Sequence, residues 1–393
     1  MQTVLPIITE IILVGLSLII LSGLFFSALA IAAKHYDSFD QIRSLQPIKK
    51  NLFYIILAIL FGSVLTIIAL PLYAITKTLF GSVFLLLIAL ILYGNQIERF
   101  KLIVYHRKIQ TKNVNAKFIV ISDLHLGTFK DQIWLETVVN QINNINEIDE
   151  NDKKQPIDFV LIAGDFTLDA KINELEKLFK PLEKLKLPIY GTIGNHDLQR
   201  PGMNYGTSLT DALSRLNVRL IDNQTVTLNT NKDSRDSFIN LIGIPDNEAT
   251  RDASNIKSLK LDQFNLILAH EPDSVRYYDK GIDKNANPIS DYEILTIAGH
   301  THGGQIRLPF IYKYFLPVKD NYFDRWFYKL DKQTNSYKPI SLEINHQTNQ
   351  HAQINTNSPL LYISQGVGEV GLPIRLFCKP SIDIIELISV QEL

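Results

Sequence analysis

Five short apolar runs in this chain each end in residues able to bind a metal ion. Lys117–Ser122 leads into Asp123-Leu124-His125, and Asp158–Ala163 into Gly164-Asp165. Pro188–Ile193 leads into Gly194-Asn195-His196-Asp197, Asn265–Ala269 into His270, and Ile294–Ala298 into Gly299-His300-Thr301-His302. Carboxylate, imidazole and amide oxygen ligands suit hard to borderline divalent cations. Apolar runs of this length with turn residues after them read as buried strands. In open α/β sheets, chemistry collects beyond the carboxyl ends of strands. Asp123, His125, Asp165, Asn195, His270, His300 and His302, with His196 beside them, are therefore expected along one rim of a sheet. They are too many for one ion and suit two. Within Asp123-x-His125 and His300-x-His302, the side chains are expected on one side of an extended segment.

Each block alone has a plainer reading. Asp-x-His can be a helix cap beside a surface histidine, Gly-Asp and Gly-Asn-His-Asp can be turns, and His270 can be a satisfied core histidine. Five blocks in this order, each at a strand end, outweigh those readings. The charge balance agrees. Two divalent ions less Asp123, Asp165 and a bridging hydroxide leave about one positive charge, which suits a phosphate oxygen. A neighbouring histidine can then protonate the leaving oxygen or stabilise its charge.

Between the runs lie helical patterns. Asp131 is placed to cap a helix through Ile145, and Lys171–Leu187 repeats apolar residues at helical spacing with Pro181 as a break. Alternating strand and helix implies an α/β layer. Thr225–Leu228, Phe238–Ile244, Leu360–Ser364 and Ile382–Leu387 are strand-like without long helices between them, which predicts a second, more antiparallel sheet. Asp331–Ser358, rich in Asn, Gln, Lys and Thr, reads as an exposed loop or insertion.

The chain has 393 residues, a formal net charge of −1 and one cysteine, Cys378. That balance gives no sign of a nucleic-acid binder, and one cysteine excludes an internal disulfide or a thiolate-rich zinc module. Residues 11–33, 52–75 and 79–97 are apolar enough to be three transmembrane helices, the third extended through Asn95-Gln96-Ile97. Buried core helices are the alternative for all three, and a signal peptide for the first, although its basic start is missing. The expected layout is a membrane region over 1–112 and a catalytic domain over 113–393. Basic residues flank the spans at Lys34, Arg43, Lys49 and Lys50, and again at Arg99, Lys101, Arg107, Lys108 and Lys112. Three spans with both flanks inside place the domain in the cytoplasm; a different span count reverses this.

The ordered blocks resemble the calcineurin-like metallophosphoesterase superfamily, whose pattern is Asp-x-His, Gly-Asp, Gly-Asn-His-Asp/Glu, His and Gly-His-x-His. The resemblance covers Phe118 to the C-terminus. It implies a four-layer α-β-β-α sandwich around two divalent ions, manganese first, with iron, zinc or magnesium as alternatives. It implies that Asp123, His125 and His302 hold one ion and that Asn195, His270 and His300 hold the other. Asp165 would bridge them, and His196 would contact the phosphate. Gly299–Gln305 (GHTHGGQ) and Gly371–Pro380 (GLPIRLFCKP) are similar to the membrane-associated bacterial YkuE/YaeI-type branch. Its members include broad phosphodiesterases and a UDP-2,3-diacylglucosamine pyrophosphatase. The branch implies a bacterial inner-membrane protein. The protein phosphatase branch expects Gly-Asp-x-Val-Asp-Arg-Gly, where this chain has Gly164-Asp165-Phe166-Thr167-Leu168-Asp169-Ala170.

Three further features carry more than one reading. Gly366-x-Gly368-x-x-Gly371 matches a dinucleotide fingerprint but lacks a following helix, so it reads as turns near the site. Phe310–Tyr328 interleaves aromatics with Lys313, Lys319, Arg325 and Lys329, which suits a membrane interface, an acyl-bearing phosphate, or sheet packing. Arg307 and Arg375 are either phosphate ligands or structural pairs. The expectation is a membrane-anchored, two-metal phosphohydrolase acting on a lipid-linked or envelope-precursor substrate. The alternatives are a nucleotide or protein phosphatase and a non-catalytic scaffold.

Overall fold

Runs such as Phe159–Ala163 and Ile294–Ala298 have no polar face to offer to water, so they are stable only as strands covered on both sides. The computed structural model describes residues 20, 83–151, 155–198, 204–230, 238–244, 246, 257–278, 287–319, 322–340 and 354–390. In it the strands are β1 (Ile103–Thr111), β2 (Ala116–Ile121), β3 (Leu126–Gly127), β4 (Phe159–Ala163), β5 (Thr167–Leu168), β6 (Ile189–Thr192), β7 (Val218–Leu220), β8 (Thr225–Asn229), β9 (Phe238–Ile244) and β10 (Phe264–Ala269). They continue with β11 (Ile294–Ala298), β12 (Trp326–Asp331), β13 (Ser336–Pro339), β14 (Ile354–Asn355), β15 (Leu360–Ile363) and β16 (Ser381–Ser389). One seven-stranded sheet runs β14-β1-β16-β2-β4-β6-β7, and a second runs β13-β12-β15-β11-β10-β9-β8.

Both sheets are mixed. In the first, β2, β4, β6 and β7 are parallel and β16 runs antiparallel to β2. In the second, β9, β10, β11 and β15 are parallel, with β8 and β12 antiparallel at their flanks. Alternation along the strands sorts side chains into three apolar layers. Ile119, Ile121, Val160 and Ile162 face the helices α1 (Gln132–Asn151), α2 (Leu175–Phe179) and α3 (Gly206–Arg215). Phe118, Val120, Leu161 and Ala163 face inward against Leu266, Leu268, Leu295 and Ile297 of the second sheet. Ile242, Ile267, Leu361 and Ile363 face outward under the short 3₁₀ turns Pro272–Tyr277 and Ile289–Asp291. The order is helix, sheet, sheet and then 3₁₀ turns. Among the described residues the fourth layer holds no long helix.

The helix boundaries follow the local signals. Asp131 Oδ1 accepts the Trp134 amide at 3.0 Å and caps α1. Pro181 breaks the next pattern into α2 and a 3₁₀ turn, Lys180–Lys184. Several expectations are corrected. The metal-ligand runs do not share one sheet, because β2, β4 and β6 lie in the first and β10 and β11 in the second. Ile382–Leu387 lies within β16, in the first sheet rather than the second. The stretch Asp331–Ser358 is not all loop, since β13 pairs with β12 and β14 pairs with β1. Strand β1 joins the first sheet between β14 and β16.

The chain divides into two units, residues 1–95 with 371–373 and residues 96–370 with 374–393. The sheets and the candidate site lie in the second. A helix over Val83–Phe100 is long and apolar enough to cross a membrane, and it overlaps the third expected span. The other two, 11–33 (Ile20 apart) and 52–75, lie outside the described residues.

Candidate metal centre

The carboxyl ends of β2, β4 and β6 meet those of β10 and β11 at one seam, and all eight residues singled out in the sequence converge there. The ligand pairs are not extended, contrary to expectation. Asp123, His125, Asp165, His300 and His302 have φ values of 51°, 45°, 54°, 70° and 51°. Each non-glycine residue in this left-handed region costs about 1–3 kcal/mol, so the turns persist only because neighbouring contacts hold them. Those contacts tie the first two turns together. The Asp123 amide donates to Gly164 O at 3.0 Å, and the His125 amide to Asp165 O at 3.0 Å. Gly164 has to be glycine, since a Cβ there would overlap the His270 ring and its φ is +78°.

The donors form two clusters with a shared edge. Asp123, His125 and His302 make one, and Asp165, His270 and His300 the other. His125 Nε2 and His302 Nε2 face each other at 3.0 Å. His270 Nε2 lies 3.0 Å from Asn195 Oδ1 and 3.1 Å from His300 Nδ1. Asp165 Oδ2 stands between the clusters, 3.4 Å from His125 Nε2 and 3.2 Å from His270 Nε2. His196 joins His125 and Asp165 in a third grouping. Its ring meets His125 edge-on at 4.8 Å, and its amide donates to Asp165 Oδ1 at 2.9 Å.

Main-chain carbonyls orient two of the rings. His270 Nδ1 faces Ala163 O at 2.9 Å, and His300 Nε2 faces Pro317 O at 2.8 Å. A carbonyl accepts only from N–H, so His270 Nε2 and His300 Nδ1 are the atoms turned towards the centre. Burial, opposed by His270, pushes the Asp123 carboxyl up to about 6. Burial also pushes His125 and His300 down to about 3, and His302 well below its usual value. Burial opposes charge on His270 too, but Asp165 and Asp123 outweigh it and hold that ring well above the usual range. His270, with His196 and His125, holds Asp165 well below the carboxylate range against the effect of burial. Three neutral imidazoles facing buried carboxylates, with one protonated ring among them, form a donor set that positive charge completes. Such a set fits divalent cations.

Comparison with known proteins agrees. Residues 116–304 match the calcineurin-like phosphoesterase family, from the start of β2 to just past His302. These residues form a calcineurin-like phosphoesterase domain. Its chemistry is hydrolysis of phosphoester bonds. The metallophosphoesterase YkuE of Bacillus subtilis is 27% identical over 283 residues, covering 70% of this chain and 79% of YkuE. Phosphodiesterase YaeI of Escherichia coli is 26% identical over 242 residues, covering 60% of this chain and 72% of YaeI. The Campylobacter jejuni metallophosphoesterase Cj0846 is 26% identical over 284 residues, covering 70% of this chain, and the chain spans 59% of that relative's length.

The sequence reading left Asp197 without a role of its own and Arg307 and Arg375 as either phosphate ligands or structural pairs. Asp197 is buried and accepts from Phe166 N at 3.1 Å, Thr167 N at 3.0 Å, Thr167 Oγ1 at 2.6 Å and Gly194 N at 3.1 Å. It latches the Asp165 turn to the Asn195-His196 turn. Arg375 is fully buried and donates to the carbonyls of Gln365, Gly366, Gly368 and Cys378. Arg307 bonds Gly303 O and Asp324. Both arginines are structural here.

Replacing Asp197 by Asn exchanges a four-bond acceptor for a group with one acceptor oxygen, leaving buried donors unsatisfied. The expected loss is about 2 kcal/mol or more of unfolding free energy, read by denaturant melting of the metal-free protein; an unchanged midpoint removes the latch. A second prediction concerns pH. Cations must displace the proton held by His270, and below about pH 6 that of Asp123 as well. Apparent Mn²⁺ affinity should therefore rise with pH and fall more steeply below 6, by up to about tenfold per unit per proton displaced. Competition titrations from pH 5 to 8 read the slope, and a flat profile contradicts it.

Proposed function

We propose that this chain is a membrane-anchored, two-metal phosphohydrolase that cleaves a phosphoester or pyrophosphate bond in a lipid-linked or envelope-precursor substrate. Two divalent ions at the clusters, manganese first among the candidates, would acidify a shared water and draw charge from the phosphoryl oxygens. Asp123, His125 and His302 supply one donor set, and Asn195, His270 and His300 the other. Asp165 stands between them. His196, whose amide donates to Asp165, would give a proton to the leaving oxygen. No ligand position has been lost, which argues against a non-catalytic scaffold.

The lipid-linked reading rests on one observation. Beside the site, Phe310, Tyr314 and Phe315 are 93%, 76% and 80% exposed, with Lys313 also exposed among them. The base of this segment is fastened to the centre where Pro317 O accepts from His300. Large aromatics interleaved with lysine suit acyl chains and anionic headgroups. The apolar helix that begins at Val83 and ends before the Glu98–Phe100 turn, with the basic residues after it, supports an inner-membrane anchor with the domain in the cytoplasm.

Turnover of bis-p-nitrophenyl phosphate with Mn²⁺ should vanish in Asp165→Ala and fall about 10²–10⁴-fold in His196→Ala. Wild-type turnover in either variant sinks the mechanism. The substrate class is tested separately. Joint replacement of Phe310 and Phe315 by Ser should raise KM for an acylated nucleotide-linked lipid and leave the small diester unaffected. Equal loss on both substrates, or loss on neither, removes the lipid reading.

A further inference from the structure

Two loops brace the Asp123–His125–His302 half of the centre, and both are fastened to one three-residue turn, Glu98–Phe100. The first is the turn after β15. Val367 N donates to Ser122 O at 3.0 Å and Gly368 N to Asp123 O at 2.7 Å. Gly366 is packed so closely that a Cβ would lie 2.9 Å from Asp123 Cβ. Trp134 Nε1 also holds this turn through Val367 O at 3.0 Å. The next residue, Glu369, is fully buried between Arg99 Nη2 at 3.1 Å and Lys130 Nζ at 3.1 Å. Lys130 itself bonds Arg99 O at 2.8 Å and lies 3.7 Å from the Trp134 ring centre and 4.1 Å from that of Phe100. Arg99 donates further to Phe129 O at 2.9 Å.

The second loop carries His302. Cys378 Sγ lies against His302 O at 3.3 Å and Gly303 O at 3.4 Å, and Gly303 leaves no room for a Cβ beside that sulfur. The Cys378 amide in turn donates to Glu98 Oε1 at 2.8 Å. Thus Arg99 reaches Asp123 through Glu369 and Gly368, while Glu98 reaches His302 through Cys378. Both residues belong to the 3₁₀ turn Glu98–Phe100, by which the chain enters the domain. The other half of the centre has additional supports of its own, Ala163 O for His270 and Pro317 O for His300, and is joined to the first where the His300 amide donates to Asp123 Oδ1 at 3.0 Å.

We infer that Glu98 and Arg99 are positioning residues for one metal of the pair, setting the affinity of the Asp123–His125–His302 half without touching the ion. A buried carboxylate holding two cations transmits displacement well, because losing one partner leaves uncompensated charge in a dry site. Groups that orient metal ligands typically change affinity by about 10–100-fold when removed. The inference rests on the two-metal reading, and the experiment separates the two.

The full chain in detergent is stripped of metal and titrated with Mn²⁺, reading stoichiometry by calorimetry and the coupled-pair signal by electron paramagnetic resonance. His302→Ala and His300→Ala give one-ion references for the two halves. Joint replacement of Glu98 and Arg99 by Ala should weaken one site about tenfold or more and give the spectrum of His302→Ala. Arg99→Lys keeps a charge for Glu369 but not the fork to Phe129 O, so it should move the same way by less. Lys117→Met breaks a buried ion pair with Asp149 that is no part of these loops, and it should leave both affinities unchanged. If the Glu98 and Arg99 variants bind two ions as the parent does, or weaken both sites alike, the inference is overturned. A parent that never binds two ions instead overturns the two-metal reading.

Discussion

Asp123 and Asp165 are buried at the seam of two sheets, within contact distance of imidazoles that burial keeps neutral. A carboxylate taken out of water needs a partner, and its cost falls only when opposite charge and hydrogen bonds replace the lost hydration. Here the replacement is incomplete. Asp123 is drawn towards its protonated form and His270 is drawn into its charged form. Protons and cations therefore compete for the same donors. Sheets, turns and latches alike keep this set of like donors from relaxing apart.

That constraint explains the cost accepted in the backbone. Five ligand residues sit in left-handed turns, an arrangement that isolated segments would abandon. They keep it because the strands behind them are covered on both faces. The inner layer locks Phe118, Leu161 and Ala163 against Leu266, Leu268 and Leu295, which fixes where each strand stops. Close main-chain contacts then set the turns against one another, and glycines at 164 and 366 permit that approach. Asp197 and Arg375 supply the remaining hydrogen bonds, one for each side of the seam.

Much of the centre was legible because its signals are local. A ligand after an apolar run needs only the run and the turn, and all eight residues read that way do converge. The cap at Asp131 and the break at Pro181 are local as well. What failed was whatever depends on distant partners. A strand buried on both faces looks the same whichever sheet it joins, so β10 and β11 could not be told from β2 and β4, and β16 was placed with the wrong neighbours. The left-handed ligand turns were hidden because Asp-x-His reads equally well as extended chain. Glu98, Arg99 and Glu369 carried no signal, since their partners lie up to 280 positions away.

The two halves of the centre consequently lean on different segments outside the strands. Asp123 and His302 depend on the turns fastened to Glu98 and Arg99, where the chain enters the domain. His300 depends on Pro317, at the base of the exposed Phe310–Phe315 segment. His300 is also tied across to the other half, since its amide donates to Asp123 Oδ1 at 3.0 Å. Each half draws ligands from both sheets, Asp123 and His125 with His302 in one and Asn195 with His270 and His300 in the other. What distinguishes them is therefore the chain that covers their turns, not the sheet behind them.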